Sequence, residues 1–178
     1  MQKNWYAVYT KPHCERKISL SLSRKHIENF CPLNHRRSRQ FFRSITSAEP
    51  IFKSYVFVKS TDEEIIPLTK KIAGIISVLY WKGRPATIKD EEINAMKEFA
   101  QNHEGIMVEK MRTNSKSEET DLSFFMDGQI LLVKNRTMKL NIASLGLSMV
   151  AKLPEEKAEQ SLLGNKKSFG NKELLLPS

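Results

Sequence analysis

The sequence predicts an α+β fold, in which a ferredoxin-like antiparallel sheet with flanking helices is followed by a small all-β barrel. In the first 100 residues the predicted elements alternate β-α-β-β-α-β-α, an order typical of an antiparallel sheet with helices packed on it. Short strand-like runs beyond a polar stretch are typical of a small barrel. A chain of 178 residues is long enough for a domain of about 100 residues and a smaller second one.

The chain begins with a predicted strand and a predicted helix. Trp5–Tyr9 is rich in aromatic residues, as strands are, and Pro12 suits the first turn of a helix. We expect this helix to extend to about Glu28. Its buried stripe recurs every four residues and consists of Cys14, Ile18 and Leu22.

The next segment contains two predicted strands separated by a basic, aromatic stretch. Phe30–Leu33 predicts a short strand, and Arg36–Arg43 fits neither a helical nor a strand period, so we place it on an exposed hairpin. The strand predicted over Ile51–Val58 ends in four consecutive apolar residues where a half-buried strand would alternate. Both of its faces therefore need cover, and the face with Tyr55 and Phe57 is expected to receive a partner.

Two further helices and one strand complete the predicted first domain, residues 1–100. Acidic residues from Asp62 begin a helix that reaches about Ile72, and Gly74 ends it. The strand Ile75–Tyr80 and a turn over Trp81–Pro85 follow. A third helix begins at Asp90 and closes the domain near Phe99.

The remaining residues predict a linker, a small β domain and a tail. Residues 101–121 are polar and form the linker, although Ile106–Met111 can form a strand. Residues 122–154 contain strand-like runs at Gln129–Lys134, Met138–Ile142 and Leu147–Leu153. Unless Ile106–Met111 joins it, this domain is below the roughly 40 residues needed for independent stability, so we expect it to dock on the first domain or on a partner. Residues 155–178 are predicted to be disordered.

Charge and cysteine content indicate a nucleic-acid partner and no metal. Residues 1–100 carry 18 Lys and Arg against 10 Asp and Glu, so they are expected to face a polyanion. Cys14 and Cys31 have neither the spacing nor the histidine partners of a zinc site. His13 precedes Cys14 directly, but neighbours on a helix point apart, so no nucleophilic pair is indicated. No run approaches the roughly 18 apolar residues of a membrane helix, and a cytoplasmic protein is expected.

Three motifs together resemble the N-terminal domain of the NusG family. They are WYAVYTKP at residues 5–12, EPIFKSYVFV at 49–58, and Gly74-Ile75 with Arg84-Pro85-Ala86. The resemblance spans about residues 4–100. Residues 134–146 resemble the end of the KOW barrel in specialised NusG paralogues, the antiterminators of surface-polysaccharide operons. A KOW barrel usually has a Gly-Pro or Phe-x-Gly turn, whereas Leu122–Gly128 keeps only the final glycine.

The resemblance implies a transcription elongation and antitermination factor, without enzymatic activity or cofactor, that binds RNA polymerase and suppresses pausing and termination. The aromatic residues that match the family's surface for the polymerase clamp helices are Tyr9, Phe52, Tyr55 and Phe57. The residues implied to lie towards upstream or non-template DNA are Lys11, Arg16, Arg24, Arg36, Arg37, Arg39, Phe41, Phe42 and Arg43. The C-terminal module is implied to recruit the ribosome or a termination factor.

Other interpretations of the same residues remain open at this point. Tyr55 and Phe57 are also consistent with ordinary core packing, as most strand aromatics are. Residues 53–58 match half of an RNA-recognition signature, in which sheet aromatics stack on bases, although Ser54 and Val56 occupy positions that the signature reserves for other residues. The arginine-rich stretch is also consistent with a solvated loop, but Phe41 and Phe42 favour stacking on unpaired bases.

Overall fold

The computed structural model describes residues 2–40, 43–111, 122–126, 129–134 and 137–152. The helices in this part of the chain are α1 (Glu15–Arg24), α2 (Asp62–Lys71) and α3 (Asp90–Asn102), with a 3₁₀ turn at Ala143–Leu145. The strands are β1 (Asn4–Thr10), β2 (Asn29–Phe30), β3 (Leu33–Gln40), β4 (Arg43–Pro50), β5 (Tyr55–Ser60), β6 (Ile75–Val78), β7 (Tyr80–Trp81), β8 (Arg84–Pro85), β9 (Thr87–Ile88), β10 (Met107–Lys110), β11 (Leu122–Met126), β12 (Gln129–Lys134), β13 (Thr137–Ile142) and β14 (Leu147–Lys152).

The first sheet has the strand order β2-β5-β1-β6, and β9 also pairs with β1. All of these pairings are antiparallel. When the short excursions are left out, the elements run β1-α1-β2-β5-α2-β6, and their spatial order is that of a ferredoxin-like sheet. The predicted α+β fold class is confirmed. Strands β3 and β4 form a separate two-stranded hairpin, as predicted for the arginine-rich stretch.

Helices α1 and α2 cover one face of the first sheet. The cluster there combines Val8, Val56 and Val58 of the sheet with Ile18 and Ile65 of the helices. Side chains alternate along a strand, so Val56 and Val58 lie on this face and Phe57 lies on the opposite one. Both faces of β5 are therefore buried, as its apolar sequence predicts.

The opposite face is covered by α3 and by the second sheet. Trp5 and Phe57 of the first sheet share one hydrophobic cluster with Ile93, Met96 and Phe99 of α3. That cluster also includes four buried residues of the second sheet, namely Leu140, Ile142, Met149 and Ala151. The cover that the sequence assigned to a partner therefore comes from the chain itself, and the expected docking of the C-terminal strands on the first domain is present.

The second sheet, here the C-terminal sheet, is antiparallel and has the order β10-β14-β13-β12-β11. Its first strand, β10, lies in the predicted linker and pairs along its length with β14. Ile106–Met111 thus supplies the extra strand. Marginal stability was predicted only if this strand did not join the sheet, so the condition for it is not met. Leu140 and Ile142 of β13 face the shared cluster, while the alternate residue Lys139 forms an ion pair with Glu109 (2.6 Å).

Two predicted boundaries are wrong because of local backbone geometry, and the third helix extends beyond the predicted end of the first domain. Helix α1 ends at Arg24 and not near Glu28, because His26 adopts a left-handed conformation (φ 56°). Strand β5 begins at Tyr55 and not at Ile51, because Ser54 has φ 63°. Helix α3 continues past Phe99 to Asn102, so the first two residues of the predicted linker are helical.

Several predicted features lie outside the described residues. These are Phe41 and Phe42, which lie in the sequence between Gln40 and Arg43, residues 112–121 of the linker, and the tail at 155–178.

Candidate functional site

The structure gathers the four predicted polymerase-binding aromatics and adds a fifth. Tyr9 and Tyr55 are directly opposite each other on β1 and β5, with ring centroids 5.5 Å apart. Phe52 meets Phe57 edge to face at 5.3 Å, and Phe30 of β2 stacks on Phe57 at 6.1 Å. We call these five residues the aromatic cluster. Phe30 was missed in the sequence because only the pairing of β2 with β5 brings it to Phe57.

The aromatic cluster has a buried centre and an accessible rim. Phe52 and Phe57 are 3% and 0% exposed and belong to the core that α3 and the C-terminal sheet cover. Tyr9 is 38% exposed, and Tyr55 is half-buried. In this conformation the two tyrosines are accessible to a partner, and the two phenylalanines are not.

A buried carboxylate fixes the turn that carries Phe52 and Tyr55. Glu15 of α1 is almost fully buried, and its Oε1 accepts a hydrogen bond from the Ser54 backbone N–H at 2.6 Å. The Ser54 carbonyl accepts from Thr10 N–H at 2.8 Å, and Tyr55 N–H donates to the Phe52 carbonyl at 3.3 Å. These bonds hold Ser54 in its left-handed conformation, which a non-glycine residue adopts only at a cost.

The thiol of Cys31 is held neutral by the same surroundings. Burial raises the pKa of Cys31 to about 11, and the nearby charge of Glu15 adds to the effect, while Arg16 opposes it. A thiol with this pKa is almost fully protonated near neutral pH and is a poor nucleophile. The geometry thus gives Cys31 a packing role.

The predicted nucleic-acid residues that the structure describes lie after β1, on α1 and on the β3–β4 hairpin. Lys11, just after β1, is exposed close to the tyrosine rim. Arg16 donates from Nη1 to the Ala48 carbonyl (3.4 Å) at the base of the β3–β4 hairpin. Arg36, Arg37 and Arg39 fall on β3, and Arg43 begins β4 opposite Gln40. Arg24 is exposed at the last turn of α1, about 12 Å along the helix from Arg16.

Polar contacts fasten the C-terminal sheet to the first domain. Glu92 of α3 is buried; its Oε1 accepts from Ser144 N–H of the 3₁₀ turn (2.9 Å), and its Oε2 accepts from Lys89 N–H (3.2 Å). The Asn34 side chain donates to the Ile106 carbonyl (2.9 Å) and accepts from its N–H (3.2 Å). Burying a carboxylate is costly without such partners, so these bonds specify one docked arrangement.

The described residues contain neither a metal-binding cluster nor a membrane-spanning helix. Among the described residues, no group of three or more His, Cys, Asp or Glu is placed to hold a metal ion. In the part of the chain that the structure describes, no helix has the length and apolar character needed to cross a membrane.

Comparison with known proteins identifies a family model and similar solved structures. A family model described as "Transcription termination factor nusG" matches residues 3–97. A solved structure titled "Domain interaction in Thermotoga maritima NusG" is 19% identical, with a TM-score of 0.49, and the match covers 86% of this chain and 94% of that one. Comparison with curated proteins gives no match.

Proposed function

Since the chain belongs to the NusG family, which consists of transcription factors and not enzymes, we propose that it is an elongation factor that suppresses pausing and termination by RNA polymerase. The family binds RNA polymerase in general. For this chain, the observation that supports a polymerase site is the aromatic cluster, which the NusG-like sheet builds at one end of β1 and β5. The expected counterpart is the clamp helices of the bacterial enzyme.

The tyrosine rim is the natural first contact for that partner. Tyrosine combines a large apolar area with few rotatable bonds and a polar tip, so it contributes strongly to interfaces at small entropic cost. Tyr9 and Tyr55 support each other through their ring contact, and the Glu15–Ser54 bond fixes the turn before Tyr55. The rim is therefore ordered before any partner arrives.

Full use of the aromatic cluster requires the C-terminal sheet to move away. Phe52 and Phe57 share a core with that sheet, so they can reach a partner only after part of this core has opened. We infer that the docked conformation competes with polymerase binding. Once released, the C-terminal sheet is free to recruit a second partner, such as the ribosome or a termination factor.

Charge supports a nucleic-acid contact next to the polymerase site. Lys11 lies beside the tyrosine rim, and Arg16 ties α1 to the base of the β3–β4 hairpin, which carries four arginines. Cationic side chains bind phosphates and release counterions. We assign this surface to upstream or non-template DNA. The proposal further includes action in the cytoplasm at a specialised operon, such as one for surface polysaccharide.

The test uses substitutions at the rim and not in the core. Tyr9→Ala and Tyr55→Ala should each weaken binding to core RNA polymerase by about 2 kcal/mol, or roughly 30-fold in Kd, which is typical of an interface anchor. Ile66→Ala on α2 is the matched control, because Ile66 is about as exposed (40%) as Tyr9. Phe57→Ala would not be informative, since truncating a fully buried Phe costs about 3–5 kcal/mol of folding stability.

The binding measurement must be paired with circular dichroism to show that each variant is folded. Folded Tyr9→Ala and Tyr55→Ala variants that bind polymerase with wild-type affinity would exclude the tyrosine rim from the interface. The alternative, an RNA module that stacks bases on Tyr55 and Phe57, needs the same uncovering of Phe57, and no feature of the site favours it over the family's general partner.

A further inference from the structure

A short hairpin formed by β7 and β8 presents exposed aromatic residues away from the aromatic cluster. Tyr80 and Trp81 pair with Pro85 and Arg84 across a two-residue turn. Trp81 is 70% exposed and Tyr80 is about half exposed. Large aromatic side chains left in water commonly mark a binding surface.

The turn of this hairpin fixes the position of the aromatic pair. Lys82 and Gly83 both have positive φ, at 49° and 79°, which is the combination that a tight two-residue hairpin turn requires. Ala86 N–H also donates to the Leu79 carbonyl at 2.8 Å, and Leu79 N–H donates to the Ala7 carbonyl of β1 at 2.8 Å. The hairpin is thus anchored to the first sheet and holds Trp81 outward.

Charge on the hairpin has a single sign. Residues 75–89 contain Lys82, Arg84 and Lys89 but no Asp or Glu. All three basic residues are exposed, and among the described residues neither Lys82 nor Arg84 makes a side-chain hydrogen bond or ion pair. Their charges are available to an anionic ligand.

A cavity of about 710 Å³ lies between this hairpin and the 3₁₀ turn of the C-terminal sheet. Tyr80 and Trp81 form one wall, and Ser144, Leu145 and Gly146 form the opposite wall. Its volume falls within the range of about 300–1,000 Å³ that is typical of small-molecule sites. The cavity therefore has room for a planar group beside the aromatic wall.

We propose that the β7–β8 hairpin and this cavity bind unpaired bases of single-stranded nucleic acid. A base stacks on Trp81, and Lys82 and Arg84 contact the flanking phosphates. Aromatic platforms flanked by cationic side chains are the usual means of binding single strands without sequence preference. The hairpin itself carries only basic charges, which favours an anionic ligand such as nucleic acid over a protein partner; the Glu92 carboxylate behind the opposite wall is already bonded to Ser144 N–H. The site uses neither the aromatic cluster nor the β3–β4 hairpin, but the 3₁₀ turn forms one wall of its cavity, so the complete cavity exists while the C-terminal sheet is docked.

Intrinsic fluorescence tests this contact directly. The chain has two tryptophans, and Trp5 is only 2% exposed, so a ligand that quenches emission by stacking must act on Trp81. Titration of the full chain with 15-nucleotide oligothymidine and oligouridine should quench the fluorescence, while a duplex of the same length should not, because its bases are already stacked. Quenching by both oligothymidine and oligouridine shows that the site recognises unpaired bases of DNA and RNA alike. Quenching by only one of them identifies that nucleic acid as the ligand. Absence of quenching by both strands would overturn the proposal.

Variants separate stacking from general electrostatic attraction. Trp81→Ala should weaken binding of labelled oligothymidine by about 5- to 150-fold, and Trp81→Phe should retain most of the affinity. Leu20→Ala, at a residue of similar exposure (61%) on α1, should bind like the wild type. Lys82→Gln with Arg84→Gln should reduce the slope of log K against log salt by about 1.4. The assignment would be contradicted if the Lys70→Gln, Lys71→Gln control lowered the salt slope by the same amount. It would also be contradicted if Trp81→Ala bound oligothymidine with unchanged affinity.

Discussion

Leu140→Ala tests whether the C-terminal sheet covers the polymerase site. Leu140 is 1% exposed and pairs with Met149 in the cluster that also includes Phe57. Truncating a buried Leu costs about 2–5 kcal/mol, through lost burial and the cavity left behind. We take about 3 kcal/mol, which should lower Tm by about 6–12 °C in a chain of this size.

The same substitution should tighten polymerase binding. We assume that about half of the lost stability, roughly 1.4 kcal/mol, destabilises the docked conformation relative to the open one. The ratio of open to docked molecules then rises about tenfold. While the docked form dominates, the apparent Kd for core polymerase then falls about tenfold. A destabilised variant that binds its partner more tightly is a result that simple loss of structure does not produce.

The assay combines thermal unfolding with equilibrium binding to core polymerase. Met107→Ala is the control, because Met107 lies on β10 of the same sheet but is 58% exposed, so it should change stability by no more than about 0.5 kcal/mol and leave affinity unaltered. A Leu140→Ala variant with a lowered Tm and unchanged or weaker affinity would show that docking and polymerase binding do not compete. An unchanged Tm would remove Leu140 from the shared core.

Two further predictions concern charge and ionisation. Replacing Arg36, Arg37, Arg39 and Arg43 by Gln should reduce the salt slope of binding to a transcription complex by about 3, and an unaltered slope would exclude the β3–β4 hairpin from DNA contact. In a Cys14→Ser variant, alkylation of Cys31 should accelerate about tenfold per pH unit up to about pH 11, because its thiol pKa is raised to that value. The thiol pKa of Cys31 is higher in the folded protein than in the unfolded chain. Cys31 therefore stabilises the folded state below about pH 9, and this stabilisation should be lost as the pH rises towards 11. Half-maximal alkylation near pH 9 would contradict the burial of this thiol.

The parts of the fold that were predictable from sequence depend on local periodicity and composition. Ile18 and Leu22 form a stripe, acidic residues open α2 and α3, and the all-apolar end of β5 indicates burial on both faces. Each of these patterns arises within a single helix or strand, because the buried face of that element sets the spacing of its apolar residues. The boundaries that failed depend on single backbone conformations, at His26 and Ser54, which residue type alone does not reveal.

The candidate site was only partly predictable for a different reason. Tyr9 and Tyr55 were identified through a family motif, but the residue pattern alone could not decide whether Phe57 faces a partner or is buried by α3 and the C-terminal sheet. Glu15, Glu92 and Phe30 were also missed, because their partners are distant along the chain: Ser54 is 39 residues from Glu15, and Ser144 is 52 residues from Glu92. Contacts of this kind depend on the tertiary fold.

The strand order of the C-terminal sheet affects events during synthesis. Its last strand, β14, lies between β10 and β13, so the sheet cannot be completed until Lys152 has been translated. Helix α3, which closes the predicted first domain, ends at Asn102, about 50 residues earlier. At about 5–20 residues per second, the nascent chain spends roughly 2.5–10 s with its sheet formed and its aromatic face without the C-terminal cover. During that interval each new molecule is in an uncovered state that mature molecules reach only by opening their core.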